Sequence, residues 1–361
     1  MNNNYAIIMA GGIGSRFWPM SKESYPKQFL DVLGIGKSLI QMTFERLTLT
    51  APKEQIYVVT NEMYKEIVLE QLSDLKPEQV LTEPMRKNTA PCIAYASHKI
   101  YNLNKDANLI IAPSDHLIMN EQKFVSIINK AVASAMSDDC LVTLGIKPTR
   151  PDTGFGYIQF HQDGDLIAGS VKKVKQFTEK PNLELAKLFL TSGEYYWNSG
   201  IFIWKAETII KALSKFKPDL NDLFSNESIN YNTSSEKVGV DKAFATCEDI
   251  SIDFAVMENA KNVNIVLANF DWSDLGTWGS LYDHLDKDSA GNAVIGDHVE
   301  MVDSKNCIIN LPKDKLALIQ GLNNHIVVES DNVLMILNRH DEQSLKEYLK
   351  DVKKKHPSLF N

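Results

Sequence analysis

Apolar positions in the first half of the chain fall into short runs separated by longer stretches with a helical rhythm. Residues 6–9, 56–59, 109–111 and 141–144 read as buried strands. Between them, Ser38 is placed to cap a helix running through Leu47, and Asn88 to cap one over residues 89–103. Strands alternating with helices build βαβ units, which predicts an α/β fold around a mainly parallel mixed sheet. The middle of the chain is less regular. Residues 157–160, 171–177 and 197–204 predict strands and 182–190 a helix, together an insertion that completes a second pocket wall. Residues 225–237 are polar enough for a mobile surface loop, and a helix from Leu275 to about His284 would take Asp274 as its N-cap.

Small and charged residues over 286–297 interrupt that helical stretch and set the expected domain boundary, with one domain over 1–285 and a smaller one over 286–361. The second is β-rich, with strand-like pieces at 293–295, 307–311, 316–319, 326–328 and 333–337 before a basic helical end. "VIGDHVEMVDSKNCII" carries a faint hexapeptide rhythm, which leaves a short left-handed β-helix and a plain β-sandwich fragment both open. No fixed repeat is evident before it.

Two domains are also what 361 residues predict. An apolar content of 44% with 23% charged residues excludes disorder as the main state. The net charge of −8 argues against a general nucleic-acid binder, so positive charge at any phosphate site must be local. The N-terminus lacks the pattern of a signal peptide and no apolar run reaches membrane-spanning length, which makes the cytoplasm the expected location and leaves no membrane partner. Cys92, Cys140, Cys247 and Cys307 lie far apart with no CxxC pairing and read as buried free thiols. No HExxH is present, so a zinc hydrolase has no support.

Candidate chemistry starts where the first strand ends, in "MAGGIGSRFWPMSKESYPKQFL". A dinucleotide fingerprint on Gly12 and Gly14 would need glycine where Phe17 stands, and a Walker A loop ending in Gly36-Lys37-Ser38 would need glycine where Asp31 stands. What remains is a strand, a turn of Gly11, Gly12 and Gly14, then Arg16 and Lys27. Glycines let backbone N–H groups approach phosphate oxygens, and two cations neutralise the charge of phosphoryl transfer. The bland alternative is a tight turn with two surface cations.

This stretch resembles the signature loop of the sugar nucleotidyltransferases, and the Trp18-Pro19 and Lys27-Gln28-Phe29 details resemble their mannose-1-phosphate guanylyltransferase branch. The resemblance runs in order over about the first 285 residues, through "EPMRKNTAP", "APSDH", "GFGYI", "FTEKP", "WNSGIFIW" and "DWSDLGTW". It implies a Rossmann-like (GT-A-like) catalytic domain that joins GTP and mannose 1-phosphate into GDP-mannose and pyrophosphate, with Mg²⁺ as cofactor. By the same resemblance Arg16, Lys27 and Lys180 are catalytic, while Gly11, Gly12, Gly14, Asn88 and Thr89 bind nucleotide. Gly156, Glu179, Lys180 and Asn198 bind the sugar phosphate, and Asp115 and Asp274 hold the metal. Relatives often carry Arg immediately before the Asn of "EPMRKNTAP", where this chain has Lys87. Trp197 and Trp204 read as core or pocket wall. No nucleic acid is expected as a partner, and a homodimer is the assembly to test. About 75 residues beyond the boundary are too few for a fused isomerase, so transferase activity alone is expected. Three other readings compete: a pyrophosphorylase for another base or sugar, a silent regulatory subunit, and a scaffold acting through its C-terminal region.

Overall fold

The computed structural model of the chain describes residues 3–12 and 14–357. Its contacts form two compact units. The first takes the chain up to Gly11 with Phe44–Ser114 and Ile118–Trp272; the second takes Gly12–Thr43, Asp115–Leu117 and the chain from Ser273 onward. Where the sequence divides the chain once, at residues 285 and 286, the contacts gather the signature loop from Gly12 on, Asp115–Leu117 and the C-terminal region into one body.

The first unit is built on nine strands: β1 (Asn4–Met9), β2 (Ile56–Asn61), β3 (Val80–Glu83), β4 (Asn108–Pro113), β5 (Leu141–Ile146), β6 (Tyr157–Phe160), β7 (Val171–Thr178), β8 (Tyr195–Lys205) and β9 (Val263–Ala268). They lie in the order β3-β2-β1-β4-β8-β5-β9-β7-β6. The run β3-β2-β1-β4 is wholly parallel, with Ile7 opposite both Tyr57 and Ile111. β8 enters antiparallel to both β4 and β5 and makes the sheet mixed. Helices cover the parallel strands, so those strands are apolar on both faces, and Ala6, Ile7 and Ile8 have no exposed surface. Helix α1 (Thr89–Leu103) begins where Asn88 predicts and is buried from Ala90 to Ile100, its alanines allowing close packing.

The polar stretch 225–237 is anchored rather than free of the core. Ile229 and Tyr231 are buried, and Glu236 opens helix α2 (Glu236–Thr246) while pairing with Lys99 at 2.6 Å. All four cysteines are free and buried. No helix among the described residues is long and apolar enough to cross a membrane.

In the second unit, helix α3 (Trp278–His284) starts three residues later than Asp274 as a cap would require; Thr277 is its N-cap, reciprocated by Ser280. Beyond it come β10 (Ala293–Ile295), β11 (His298–Val302), β12 (Ile308–Asn310), β13 (Leu316–Gln320), β14 (His325–Ser330) and β15 (Val333–Asn338). Successive strands alternate between two parallel sheets, with Ala293 beside Ile308 and Ile308 beside Ile326 in one and His298 beside Leu316 in the other. Only β15 is antiparallel, to β14. This coil-by-coil stacking is a short β-solenoid and not a sandwich fragment. Ile308, Ile326 and Val328 pack with Phe17, Trp278 and Leu345, the last from helix α4 (Leu345–Lys355).

Candidate active site

Within the second unit the signature loop is arranged around Lys27. Gly14 has φ +63°, and a Cβ there would lie 2.4 Å from the Lys27 Cβ, so glycine serves both the left-handed turn and the approach of the lysine. Lys27 is 3% exposed. Its ammonium lies 2.7 Å from Asp115 Oδ2 and donates to the carbonyls of Asp274 at 2.9 Å and Leu275 at 3.0 Å. Three acceptors match the three protons of a lysine. The Phe17 ring lies 5.5 Å from the same nitrogen. Arg16, part-exposed in the turn Ser15–Phe17, makes no side-chain hydrogen bond or ion pair among the described residues.

The backbone at Leu275 is strained, with φ +44° for a fully buried leucine. Lys27 holds its carbonyl, and Ser273 Oγ accepts its N–H at 3.1 Å. Asp274 Oδ1 accepts the Gly276 N–H at 3.2 Å, which places this aspartate in a local turn and not at the helix cap. Burial pushes the Asp115 carboxyl up, but the ammonium of Lys27 and then His116 outweigh it and leave its acidity stronger than usual. The Asp115 side chain keeps 32% of its surface, so it stays ionised and reachable.

The described residues contain no cluster of three or more potential metal ligands. Asp115 and Asp274 both meet Lys27, the first through its carboxylate and the second through its backbone carbonyl, and make a pair of acids without a closed cage. Such a donor set suits a hard divalent ion that takes one or two carboxylates and fills its shell with phosphate oxygens and water.

In the first unit, the residues assigned to the sugar phosphate meet in one place. Gly156 accepts the Asn198 N–H at 2.8 Å, and a Cβ on Gly156 would fall 2.5 Å from Glu179 Oε2. The Asn198 amide is oriented at both ends, accepting from the Thr143 hydroxyl at 2.8 Å and donating to Asp253 Oδ1 at 2.9 Å. Glu179, with 5% of its side chain exposed, pairs with Lys180, which is 60% exposed. Asp253, a residue no motif singles out, opens a π-helical turn over Asp253–Met257. Burial, and next the nearby Glu179 carboxylate, push its pKa up to about 7 against the pull of Lys180 and the bond from Asn198.

Glu83 is the second acid that sequence reasoning passes over, although it begins "EPMRKNTAP". It ends β3, is 5% exposed, and its Oε2 lies 3.8 Å from where a Gly11 Cβ would be. Burial raises its pKa to about 8 despite a bond with the Cys92 thiol, and its Oε1 has no hydrogen-bond partner among the described residues. Asn88 spends its carbonyl on the Thr89 N–H at 3.0 Å, and the Thr89 hydroxyl oxygen accepts the Ile252 N–H at 2.9 Å. Arg86 bonds the Tyr64 hydroxyl at 2.5 Å, while Lys87, in the position where Arg is usual, is half-buried. Trp197 and Trp204 are buried in the core.

Comparison with known proteins adds independent findings. A family model described as nucleotidyl transferase matches residues 5–291. The xanthan biosynthesis protein XanB of Xanthomonas campestris pv. campestris is 38% identical over 98% of this chain and 74% of its own length. A mannose-1-phosphate guanylyltransferase of Salmonella montevideo is 39% identical over 96% of this chain and 73% of its own. A crystal structure from Thermus thermophilus, described as a mannose-1-phosphate geranyltransferase, aligns with a TM-score of 0.87 at 26% identity, covering 97% of this chain and 99% of that one.

Proposed function

Because the chain belongs to the nucleotidyl transferase family, we propose that it transfers the guanylyl group of GTP to mannose 1-phosphate, forming GDP-mannose and pyrophosphate. A phosphate oxygen of the sugar phosphate attacks the α-phosphorus in line; one P–O bond forms as the bond to pyrophosphate breaks. No protein nucleophile is needed, so catalysis rests on positioning and charge neutralisation.

The observation that carries this reading is the junction at Lys27, where one buried ammonium meets the Asp115 carboxylate and the backbone of Asp274. Mg²⁺ held by these two aspartates would supply neutralisation of the phosphate oxygens. Lys27 keeps Asp115 ionised and fixes the Asp274 turn. Arg16, with no partner of its own among the described residues, is assigned to the triphosphate together with the N–H groups of Gly11, Gly12 and Gly14. Lys180 is assigned to the sugar phosphate, and Glu179 and Asn198 to the sugar hydroxyls. Asp253 keeps the Asn198 amide turned in one sense.

Asn88 and Thr89 are assigned to the base, and Glu83 joins them on the strength of its unpaired carboxyl oxygen. Guanine carries an amino group beside its ring N–H, and that Glu83 oxygen can accept one such donor; adenine and the pyrimidines lack this pair. Pyrophosphate release with a panel of nucleotides and sugar 1-phosphates, with and without Mg²⁺, tests the proposal. GTP with mannose 1-phosphate is expected to exceed every other pair and to require the metal. Preference for another pair would reassign the substrate, and absence of release with every pair would remove the activity.

A further inference from the structure

We propose that Glu342, supplied by the C-terminal region, is a positioning residue for Asp274, an inference that rests on the metal role proposed for that aspartate. Glu342 lies in the turn Arg339–Ser344 that leads into α4. Its Oε2 accepts the Gly279 N–H at 2.7 Å, and its Oε1 accepts the Thr277 hydroxyl at 3.0 Å. Both donors belong to the start of α3, where backbone N–H groups have no partner within the helix. The fit is close: a Cβ on Gly279 would lie 2.8 and 2.9 Å from the two carboxylate oxygens.

The segment from Asp274 to Gly279 is therefore gripped twice. Lys27 holds the carbonyls of residues 274 and 275, and Glu342 holds the groups at 277 and 279. Between them stands Leu275 in its left-handed conformation, which persists only where surrounding contacts over-determine it. At seven residues α3 is too short to hold its own first turn unaided. Releasing the Glu342 end lets the turn relax, and the group redirected is the carboxylate of Asp274. The C-terminal region thereby acts on the proposed metal site without touching the metal.

Glu342→Ala, Glu342→Gln and Thr277→Val are compared with the parent chain by Mn²⁺ titration followed by electron paramagnetic resonance without substrates, by steady-state kinetics and by thermal unfolding. Glu342→Ala is expected to weaken Mn²⁺ binding and to lower kcat, each by roughly tenfold, the scale of losing an outer partner of a ligand. The KM for mannose 1-phosphate should stay within about twofold of its parent value, as outer partners of a ligand act on the metal. Glu342→Gln, which keeps an acceptor, should recover part of both losses, and Thr277→Val should shift Mn²⁺ affinity the same way by less. Parent-like Mn²⁺ affinity in Glu342→Ala, or a drop in affinity, kcat and sugar KM together in step with lost stability, would overturn the proposal. Mn²⁺ affinity unchanged by Asp274→Asn would remove the metal role itself, and this inference with it.

Discussion

Replacing Lys27 with Met keeps the length and apolar stem of the side chain but removes the ammonium. The structure assigns that ammonium one carboxylate and two backbone carbonyls, all within 3.0 Å. Removing one partner of a buried pair costs about 3–5 kcal/mol, because the other charge stays buried and uncompensated. Asp115 keeps a third of its surface, so a loss of about 3 kcal/mol is expected, a large share of an ordinary domain's stability. The pH dependence gives a sharper readout. In the parent chain the Asp115 carboxyl titrates below its usual range, so its contribution is present above the ordinary carboxyl pKa and is lost as pH falls through the lowered value. Without Lys27, burial acts with less opposition and the carboxyl titrates higher, so the stability that ionised Asp115 adds as pH rises shrinks. Urea unfolding of both chains from about pH 4 to about pH 8 should show a gap that widens with pH. A gap below about 1 kcal/mol at the upper end, or parallel pH profiles, would refute the role given to this ion pair.

Other substitutions probe the first unit. Glu83→Gln removes a carboxyl raised from 4.5 to about 8, which costs stability progressively as pH rises across that window. The variant should gain on the parent over the same interval, by about 5 kcal/mol at most, as read by urea unfolding of both chains across that pH range. Gly156→Ala forces a methyl to within 2.5 Å of Glu179 Oε2, so kcat/KM for mannose 1-phosphate should fall roughly tenfold or more, with a smaller change in the KM for GTP. Asp253→Asn preserves an acceptor for the Asn198 amide but removes a group titrating at about 7; the kcat/KM profile for the sugar phosphate should lose its limb near that pH. A limb that persists in the variant would assign it to another group.

Long periodic segments and cap residues made much of the fold legible. Helix α1 runs from the residue after Asn88 to Leu103 as its pattern predicts, and β6 and β10 match residue for residue. β3 is not legible in the pattern because Val80-Leu81-Thr82-Glu83 is short and half polar; it is an edge strand paired with β2 alone, yet Val80, Leu81 and Glu83 are buried. Asp274 is a good cap by type, but so is Thr277; the competition is decided by Lys27, which binds the carbonyls at 274 and 275 and keeps them out of a helix. The solenoid rhythm is faint because equivalent positions, Ala293, Ile308 and Ile326, are unequally spaced along the chain. In the candidate site, the glycines and cations announce themselves through motifs. Glu83 and Asp253 do not, since their altered acidity comes from burial and from neighbours distant in sequence.

Anomalous diffraction from crystals grown with Mn²⁺ and GDP-mannose tests the central claim most directly. One ion should be coordinated by a carboxylate oxygen of Asp115 and one of Asp274, with phosphate oxygens of the nucleotide sugar completing its shell. Bound GDP-mannose whose phosphates lie away from both aspartates, or an ion held elsewhere on the chain, would contradict it.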